Sequence, residues 1–118
     1  MTPVRVLIVD DHEGFLDAAT ALLSASGFEV VGSAVDGEST IEAVVLNRPD
    51  VVLVDLQLPG IDGVEVAERL SRLPAPPQVV IISSREKAGE EPRVKAALAR
   101  GFLPKRSLDA AAITDLLR

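Results

Sequence analysis

Three runs of four apolar residues, each followed at once by a polar or acidic residue, constrain the fold of this chain more than any other feature. They occupy residues 6–9, 51–54 and 79–82. The runs are too short for helices and do not alternate with polar residues, which is typical of strands buried on both faces of a parallel sheet. Asp10, Asp55 and Ser83 follow the three runs directly. We therefore expect a buried parallel sheet with polar side chains at one edge.

Between these runs, the apolar spacing changes to that of helices. A first helix is predicted from Glu13 to Gly27, where a glycine commonly stands just past a helix end. Its apolar face is predicted to consist of Phe15, Ala18, Ala19, Leu22 and Leu23. A second helix is predicted after Asp36, and a third helix from Val64 up to the proline-rich residues 74–77.

The last third of the chain continues the alternation with shorter elements. Residues 85–91 are polar and are predicted to form a loop, and a short helix carrying Val94, Ala97 and Leu98 is predicted after Pro92. Residues 101–103 form a brief predicted strand, and Ser107 is predicted to N-cap the last helix. This pattern predicts a single α/β domain over residues 1–118, a five-stranded parallel sheet flanked by five helices, with no second domain.

Composition narrows the class of protein. The 118 residues suffice for one domain with an ordinary core, and the absence of Cys excludes disulfides. A net charge of −6, with 12 scattered Lys and Arg residues, argues against direct DNA binding by this chain. No apolar segment approaches the length of a membrane span. We therefore expect a cytoplasmic protein that does not bind membranes.

The polar residues that follow the strands suggest a metal site. The carboxyl ends of parallel strands share one edge of a sheet, so Asp10, Asp11, Asp55, Ser83 and Lys105 are expected to converge there. At about 5 Å and an effective dielectric of about 20, each pair of carboxylates repels by roughly 3 kcal/mol. A cation must offset this repulsion, and oxygen ligands with room for water favour Mg²⁺ over Ca²⁺. The alternative for the acidic pair at positions 10 and 11 is simple N-capping of the first helix.

A metal ion, a hydroxyl group and an ammonium group around one carboxylate suit phosphoryl transfer to that carboxylate. Asp55 is ionised at neutral pH and needs no general base, while the metal, Ser83 and Lys105 would neutralise and hold the phosphoryl oxygens. The product would be an acyl phosphate. Taken singly, Ser83 and Lys105 also fit structural roles, as a strand-end hydroxyl bonded to backbone and a solvated surface lysine.

Four blocks of the sequence resemble, in order and spacing, those of receiver domains of two-component response regulators. The blocks are VLIVDDHEGF, VVLVDLQLPGIDGVE, VVIISS and GFLPK, and they span essentially the whole chain. The resemblance implies a CheY-like fold with the strand order 2-1-3-4-5. The GFLPK ending is similar to that of receivers preceding a LuxR-type helix-turn-helix output domain, which we do not expect within this chain.

This resemblance also implies roles for individual residues. Asp55 would accept a phosphoryl group from a phosphohistidine on a sensor histidine kinase or a phosphotransfer protein. Asp11, Asp55 and the backbone carbonyl of Gln57 would bind Mg²⁺, with Asp10 acting mostly through water. The amino-acid type at each of these positions matches the family pattern.

The same family implies a conformational switch. Ser83 and Lys105 would contact the phosphoryl group, and Phe102 would turn inward and repack the surface around the fourth helix and fifth strand. The alternative for Phe102 is a core residue that does not move. Gln57 and Arg85 would flank the attacking water and tune the lifetime of the acyl phosphate. The proline that often follows the lysine in this family is absent here, so we expect a different loop after Lys105.

Three functional hypotheses remain. The favoured one is a phosphoryl-accepting switch that controls a downstream protein or an output domain, with homodimerisation through the fourth helix and fifth strand as a further option. It is not an enzyme, apart from autodephosphorylation. The second is a degenerate receiver that binds partners independently of phosphorylation. The third is an aspartyl-phosphate phosphatase, which Gln57 disfavours because such enzymes usually carry a second Asp there. His12 is expected to be exposed near the first helix start and not catalytic.

Overall fold

The computed structural model describes residues 2–118, and its centre is a five-stranded parallel sheet. The strands are β1 (Arg5–Val9), β2 (Glu29–Ala34), β3 (Val51–Asp55), β4 (Gln78–Ser83) and β5 (Gly101–Pro104). They lie in the order β2-β1-β3-β4-β5, and every neighbouring pair is parallel. The predicted α/β class and strand order are therefore confirmed.

Five α-helices alternate with the strands. They are α1 (Glu13–Ala25), α2 (Gly37–Asn47), α3 (Gly63–Ser71), α4 (Pro92–Lys95) and α5 (Ala110–Leu117), and two 3₁₀ helices, Glu86–Glu90 and Lys105–Ser107, lie before α4 and after β5. Side-chain caps fix three of the helix starts. Asp36 and Asp62 accept hydrogen bonds from the N–H groups of Ser39 and Glu65, and the cap of α5 is described below. Within residues 2–118, none of the helices is long and apolar enough to cross a membrane.

The three central strands, β1, β3 and β4, are buried because their side chains alternate between two apolar layers. In β1, Leu7 and Val9 belong to the layer covered by α2, α3 and α4, whereas Val6 and Ile8 belong to the layer covered by α1 and α5. Burying one such Val, Leu or Ile side chain contributes roughly 1.5–3 kcal/mol of transfer free energy. The two layers therefore hold the strands, and with them the residues at the strand ends, in fixed positions.

The start of α5 differs from the prediction. Ser107 ends the second 3₁₀ helix, and Asp109 caps α5 by accepting a 2.7 Å hydrogen bond from Ala112 N–H. An N-cap residue needs an extended backbone, and the additional 3₁₀ turn moves that conformation to Asp109, with φ −154° and ψ 173°. The predicted cap at Ser107 is wrong.

The segment between β4 and β5 also differs from the prediction. Most of the predicted loop at residues 85–91 forms the 3₁₀ helix Glu86–Glu90. The helix after Pro92 is present but ends at Lys95, so two of its three predicted apolar positions lie beyond its end. The residues before Pro92 thus form a helical turn where a loop was predicted, and the helix after Pro92 is shorter than predicted.

The buried face of α1 is rotated slightly from the predicted one. Leu16, Ala19 and Leu23 are buried, whereas Leu22 is 42% exposed. The predicted face therefore missed Leu16 and included Leu22. A helix in contact with a twisted sheet buries a narrow stripe, and the apolar residues on either side of that stripe remain partly in solvent.

Candidate functional site

The register of the strands brings the residue after β1 and the last residue of β3 side by side. Val9 of β1 pairs with Val54 of β3, so Asp10, directly after β1, lies next to Asp55, the last residue of β3. On the other side of β3, β4 ends at Ser83. Asp10, Asp55 and Ser83 are 0%, 4% and 0% exposed, respectively. The sheet thus places two carboxyl groups and a hydroxyl group, distant in sequence, at one buried edge.

The ammonium group of Lys105 is shared by the two buried carboxylates. Its Nζ atom donates a hydrogen bond to Asp55 Oδ2 at 3.2 Å and lies 2.5 Å from Asp10 Oδ2. The same atom lies 4.6 Å from the centre of the Phe15 ring, within cation–π range. The Lys105 side chain is only 15% exposed. These charges are therefore screened weakly by water.

Burial and neighbouring charges shift the pKa values of Asp55 and Lys105. Burial raises the pKa of Asp55, and the Asp10 carboxylate raises it further, while the 3.2 Å hydrogen bond from Gln57 N–H and the charge of Lys105 act in the opposite direction. Burial acts to lower the pKa of Lys105, but the carboxylates of Asp10 and Asp55 outweigh it and the pKa is raised. Lys105 is therefore cationic at neutral pH.

Two further residues extend the acidic cluster to the surface. Asp10, Asp11, His12 and Asp55 each offer one ligand atom, and these atoms all lie within 4.8 Å of one another. The buried Oδ2 atom of Asp10 is partnered by the ammonium group of Lys105. One lysine offsets only one of three carboxylate charges. A donor set dominated by carboxylate oxygens, with excess negative charge, fits a hard divalent cation such as Mg²⁺.

His12 is the member of this cluster that sequence reasoning left out. Its side chain is 73% exposed, as expected, yet Nδ1 lies 3.1 Å from Asp10 Oδ1 and 3.2 Å from Asp11 Oδ1. Its position directly after the acidic pair, in the loop that leaves the sheet edge, was the available signal. His12 is also the N-cap residue of α1, without a side-chain cap. The alternative in which Asp11 caps this helix is therefore wrong.

The hydroxyl group of Ser83 and the backbone of Arg85 are joined. Ser83 Oγ accepts a 3.1 Å hydrogen bond from Arg85 N–H. This contact uses an acceptor site of the hydroxyl and leaves its proton free to donate. The guanidinium group of Arg85 pairs with Glu91, with Nη2 2.9 Å from Oε1.

Phe102 and Gln57 occupy different environments. Phe102 is partly buried in the layer of α3 and α4, and its ring packs on Gly89, where an added Cβ would lie 2.5 Å from the ring atom Cδ2. Gln57 is exposed, and its N–H contacts the Asp55 carboxylate. Of the predicted site residues, Asp10 and Asp55 thus both contact Lys105. Phe102 and the side chain of Arg85 instead contact Gly89 and Glu91, in the segment between β4 and β5.

The strand order and the buried acids and lysine at the carboxyl edge define the class of CheY-like α/β domains. The family model of the response regulator receiver domain matches residues 6–118. The chain therefore belongs to the response regulator receiver family.

Three relatives illustrate this membership. The chain is 37% identical over 105 residues to NarL of Mycobacterium tuberculosis H37Rv, named as a transcriptional regulatory protein, covering 88% of this chain and 49% of that protein. A solved NarL signal receiver domain from Mycobacterium tuberculosis has a TM-score of 0.85 and 32% identity, covering 99% of this chain and 95% of that one. A chain of the CheX–CheY–BeF₃–Mg complex from Borrelia burgdorferi has a TM-score of 0.77 and 26% identity, covering 98% of this chain and 87% of that one.

The chain is shorter than its curated relatives. It spans 49%, 33% and 49% of the lengths of the first three that it matches. Those proteins therefore contain further sequence beside the part that is similar to this chain.

Proposed function

We propose that this receiver domain is a phosphoryl-accepting switch in which Asp55 takes the phosphoryl group. The observation that carries the proposal is the 3.2 Å contact between the buried Asp55 carboxylate and the ammonium group of Lys105. A structural ion pair would not require the second buried acid, Asp10, at 2.5 Å from the same nitrogen. Excess negative charge around a single lysine suits a site that takes a cation and an anionic group together.

The proposed reaction transfers a phosphoryl group from a phosphohistidine of a sensor histidine kinase or phosphotransfer protein in the cytoplasm. An oxygen of ionised Asp55 bonds to phosphorus as the phosphorus–nitrogen bond to the imidazole breaks, and the departing nitrogen takes a proton from water. Asp55 then carries an acyl phosphate. No general base is required, because a carboxylate is already a nucleophile in its ionised form.

Mg²⁺ is the cofactor of this proposal. Asp10, Asp11, Asp55 and the backbone carbonyl of Gln57 would hold it, with Asp10 acting mostly through water. When bound, Mg²⁺ supplies neutralisation of the charge on the phosphoryl oxygens. The carboxylate charge that Lys105 does not offset supports this assignment. The Borrelia burgdorferi relative, whose structure is described with BeF₃ and Mg, also supports it.

Lys105 and Ser83 would hold the attached phosphoryl group. Lys105 would exchange its carboxylate contact for a charge-assisted hydrogen bond to a phosphoryl oxygen. Ser83 would donate its free hydroxyl proton to a second oxygen, while Arg85 N–H continues to bind Oγ from the other side. Both residues lie at strand ends, so a small shift toward the phosphoryl group would also move the segments that follow them.

The surface around α4 and β5 would report this shift. Phe102 is three residues before Lys105, and its ring packs on Gly89 of the 3₁₀ helix, so movement of the β5 end would be transmitted to Glu86–Glu90. The altered surface would control a downstream protein or an output domain. The naming of a relative as a transcriptional regulatory protein supports the second route. With a net charge of −6, this domain itself would not contact DNA.

Intact-protein mass spectrometry after incubation with acetyl phosphate and Mg²⁺ tests the proposal. We expect the mass gain of one phosphoryl group in the wild type, and none after chelation of Mg²⁺ or in Asp55→Asn. Asp17→Asn, on the exposed face of α1, is the matched control and should gain mass like the wild type. Labelling that persists in Asp55→Asn would overturn the assignment of Asp55. No labelling of the wild type would favour a phosphorylation-independent binding module instead.

The enzyme alternative has its own readout. An aspartyl-phosphate phosphatase would hydrolyse p-nitrophenyl phosphate with many turnovers, whereas a switch forms one acyl phosphate per chain and loses it slowly. We expect no turnover, because the amide of Gln57, two residues after Asp55, is not acidic enough to protonate a leaving group as the carboxylic acid of an Asp would. Sustained hydrolysis that is abolished in Asp55→Asn would replace the switch by a phosphatase.

A further inference from the structure

We propose that helix α2 forms the interface of a homodimer, in which two copies of this chain pack α2 against α2 in antiparallel orientation about a two-fold axis near Val45. The inference concerns a surface away from the acidic site and does not rest on the proposed function. The α2 surface also differs from the surface around α4 and β5 that the family resemblance suggests for self-association.

The outer surface of α2 carries apolar side chains that the fold leaves in water. Val45 is 60% exposed and Leu46 is 81% exposed. Ile41 lies one helical turn before Val45, and these three residues, with Glu42 and Arg48, line a depression of about 680 Å³. A contiguous apolar surface on a soluble domain commonly marks a contact with another protein. The outer surface of α2 is therefore a candidate interface.

This surface continues into a larger groove at the amino edge of the sheet. Val45 and Arg48 line both the depression and the groove, which has a volume of about 870 Å³. The groove is lined further by Val4, Pro49, Leu73, Pro74, Pro77 and Leu117. Specific interfaces bury at least about 1,000 Å² in total. An interface limited to the 11 residues of α2 would be small, and the groove extends it.

The charges on α2 favour a second copy of this chain as the partner. Glu42 and Arg48 stand three residues before and three residues after Val45. Within residues 2–118, neither of these two side chains has an ion-pair or hydrogen-bond partner, whereas the glutamates and arginines of α3 pair within their own helix. The α2 surface thus has one unpaired charge of each sign, placed symmetrically about its exposed apolar centre.

The spacing of these charges is self-complementary under two-fold symmetry. Three residues of helix rise about 4.5 Å. In an antiparallel pair centred at Val45, Glu42 of one copy therefore lies at the level of Arg48 of the other copy, and this pairing occurs twice in the dimer. The two like charges of each kind are separated by about 9 Å along the helix axis. An isologous dimer thus joins the apolar centres and pairs all four charges.

The backbone of Arg48 supports a role for its side chain. Arg48 ends α2 in the left-handed conformation, with φ 49° and ψ 59°, and its carbonyl accepts a 2.7 Å hydrogen bond from the guanidinium group of Arg5. Glycine is the usual residue in this conformation at a helix end, since a side chain strains the backbone there. Strained residues of this kind cluster at sites of function. The side chain that this strain accompanies is the one that would reach Glu42 of the other copy.

The proposed dimer leaves the acidic site open. The groove lies beside Asp50 and Gln78, which stand at the starts of β3 and β4, whereas Asp55 and Ser83 are the last residues of these strands. The interface and the acidic site are therefore at opposite edges of the sheet. Asp55→Asn should dimerise like the wild type, so the dimer and phosphoryl labelling are tested separately.

Sedimentation velocity of the full chain over a concentration series tests the proposal. We expect a reversible dimer whose fraction rises with concentration. Val45→Lys should abolish it, because the substitution places two ammonium groups beside each other at the two-fold axis. Leu98→Lys is the matched control, since Leu98 is also 60% exposed but lies beyond α4, and it should dimerise like the wild type.

Charge reversal tests the pairing itself. Glu42→Arg and Arg48→Glu should each weaken the dimer by about tenfold or more, because both attractive pairs become repulsive. An equimolar mixture of the two variants should form a heterodimer with an affinity near that of the wild type, since every arginine then faces a glutamate. Recovery on mixing would also show that each variant is folded.

Three outcomes would overturn the inference. A wild type that stays monomeric up to about 1 mM would show that α2 does not bind a second copy. A dimer that is lost in Leu98→Lys and kept in Val45→Lys would place the interface near α4. A mixture of the charge-reversed variants that associates no better than either variant alone would contradict the pairing of Glu42 with Arg48.

Discussion

The Nζ atom of Lys105 and the Oδ2 atom of Asp55 are 3.2 Å apart, although the two residues are 50 positions apart in the chain. Asp10 Oδ2 lies 2.5 Å from the same nitrogen. One ammonium group is thus shared between two carboxylates that are largely removed from water. The balance of these three charges determines how the site should respond to divalent ions, to pH and to substitution.

Lys105→Ala should strengthen Mg²⁺ binding. The ammonium group occupies the position between the carboxylates of Asp10 and Asp55, and its positive charge repels an incoming cation. Its removal should tighten Mg²⁺ binding severalfold, measured by the amide chemical shifts of Asp55 and Gln57 during titration. Lys87→Ala, an exposed lysine of the Glu86–Glu90 3₁₀ helix, should leave the affinity unchanged. Weaker Mg²⁺ binding in Lys105→Ala would show that the lysine organises the carboxylates instead of competing for them.

Asp55→Asn should stabilise the folded chain at neutral pH in the absence of divalent ions. Burial and Asp10 raise the pKa of Asp55 above its ordinary value of 3.8. Between that value and the higher pKa of the folded chain, the unfolded state binds fewer protons, so the free energy of unfolding falls as the pH rises. Asn removes this penalty, and we expect a higher free energy of unfolding in urea denaturation at pH 7.

The pH dependence distinguishes this cause from a packing effect. The advantage of Asp55→Asn should disappear below pH 3.8, where the carboxyl group is protonated in both states, and Mg²⁺ should reduce it at pH 7. Asp36→Ala provides a control of opposite sign, because the N–H of Ser39 lowers the pKa of Asp36. The stabilisation that ionised Asp36 provides in the wild type is present above the ordinary pKa of this carboxyl group, 3.8, and is lost as the pH falls through its lower pKa in the folded chain. An Asp55→Asn variant that is less stable than the wild type at pH 7 would contradict this account.

Gly89→Ala should displace the ring of Phe102. An added Cβ would lie 2.5 Å from Cδ2 of that ring and 3.0 Å from Cγ, a spacing that real contacts do not tolerate. The strain should cost about 1–3 kcal/mol of unfolding free energy and should shift the ring resonances of Phe102. Gly14→Ala, where an added Cβ meets no atom within 4 Å, is the matched control.

A second substitution separates steric contact from a change in backbone freedom. In a Phe102→Leu background the smaller side chain leaves room, so Gly89→Ala should cost less there than in the wild type. Its thermal unfolding midpoint, compared with those of the single variants, measures this coupling. Additive effects of the two substitutions would contradict the contact as the source of the strain.

The sequence predicted the parts of the site that depend on the strands. Runs of β-branched residues determine where strands end, and parallel pairing brings their carboxyl ends together, so the meeting of Asp10, Asp55 and Lys105 followed from order along the chain. The same reasoning did not reveal that Lys105 is nearer to Asp10 than to Asp55. That distance depends on the 3₁₀ turn that begins at the lysine, which has no distinct sequence signal.

Residues governed by side-chain direction were less predictable. Ser107 and Asp109 are both good cap residues, and only the backbone conformation of the preceding turn selects Asp109. The contact of His12 with Asp10 and Asp11 was not predicted, because the expected exposure of a side chain does not determine where its imidazole ring points. Arg85 was placed beside the site by its spacing from Ser83, but its long side chain reaches an acid six residues further on, Glu91. Local competition of this kind is invisible to periodicity.

The contact between Arg85 and Glu91 leads to a last prediction, which rests on the proposed function. The two side chains are joined at 2.9 Å and are partly exposed to water, so the pair is worth at most about 1 kcal/mol. Glu91→Gln should release the guanidinium group of Arg85 toward the phosphoryl group on Asp55, where it would obstruct water. The acyl phosphate should then last up to about fivefold longer, the factor that corresponds to that energy.

The decay of phosphorylated protein, followed by intact mass after removal of acetyl phosphate, measures this lifetime. Arg85→Gln should remove the effect of Glu91→Gln, because no cation remains to be released. Arg93→Gln is the matched control, since its partner Asp62 lies in the loop before α3 and the pair does not involve Arg85. An equal change of lifetime in Glu91→Gln with and without Arg85 would show that the glutamate acts through the 3₁₀ helix and not through the arginine.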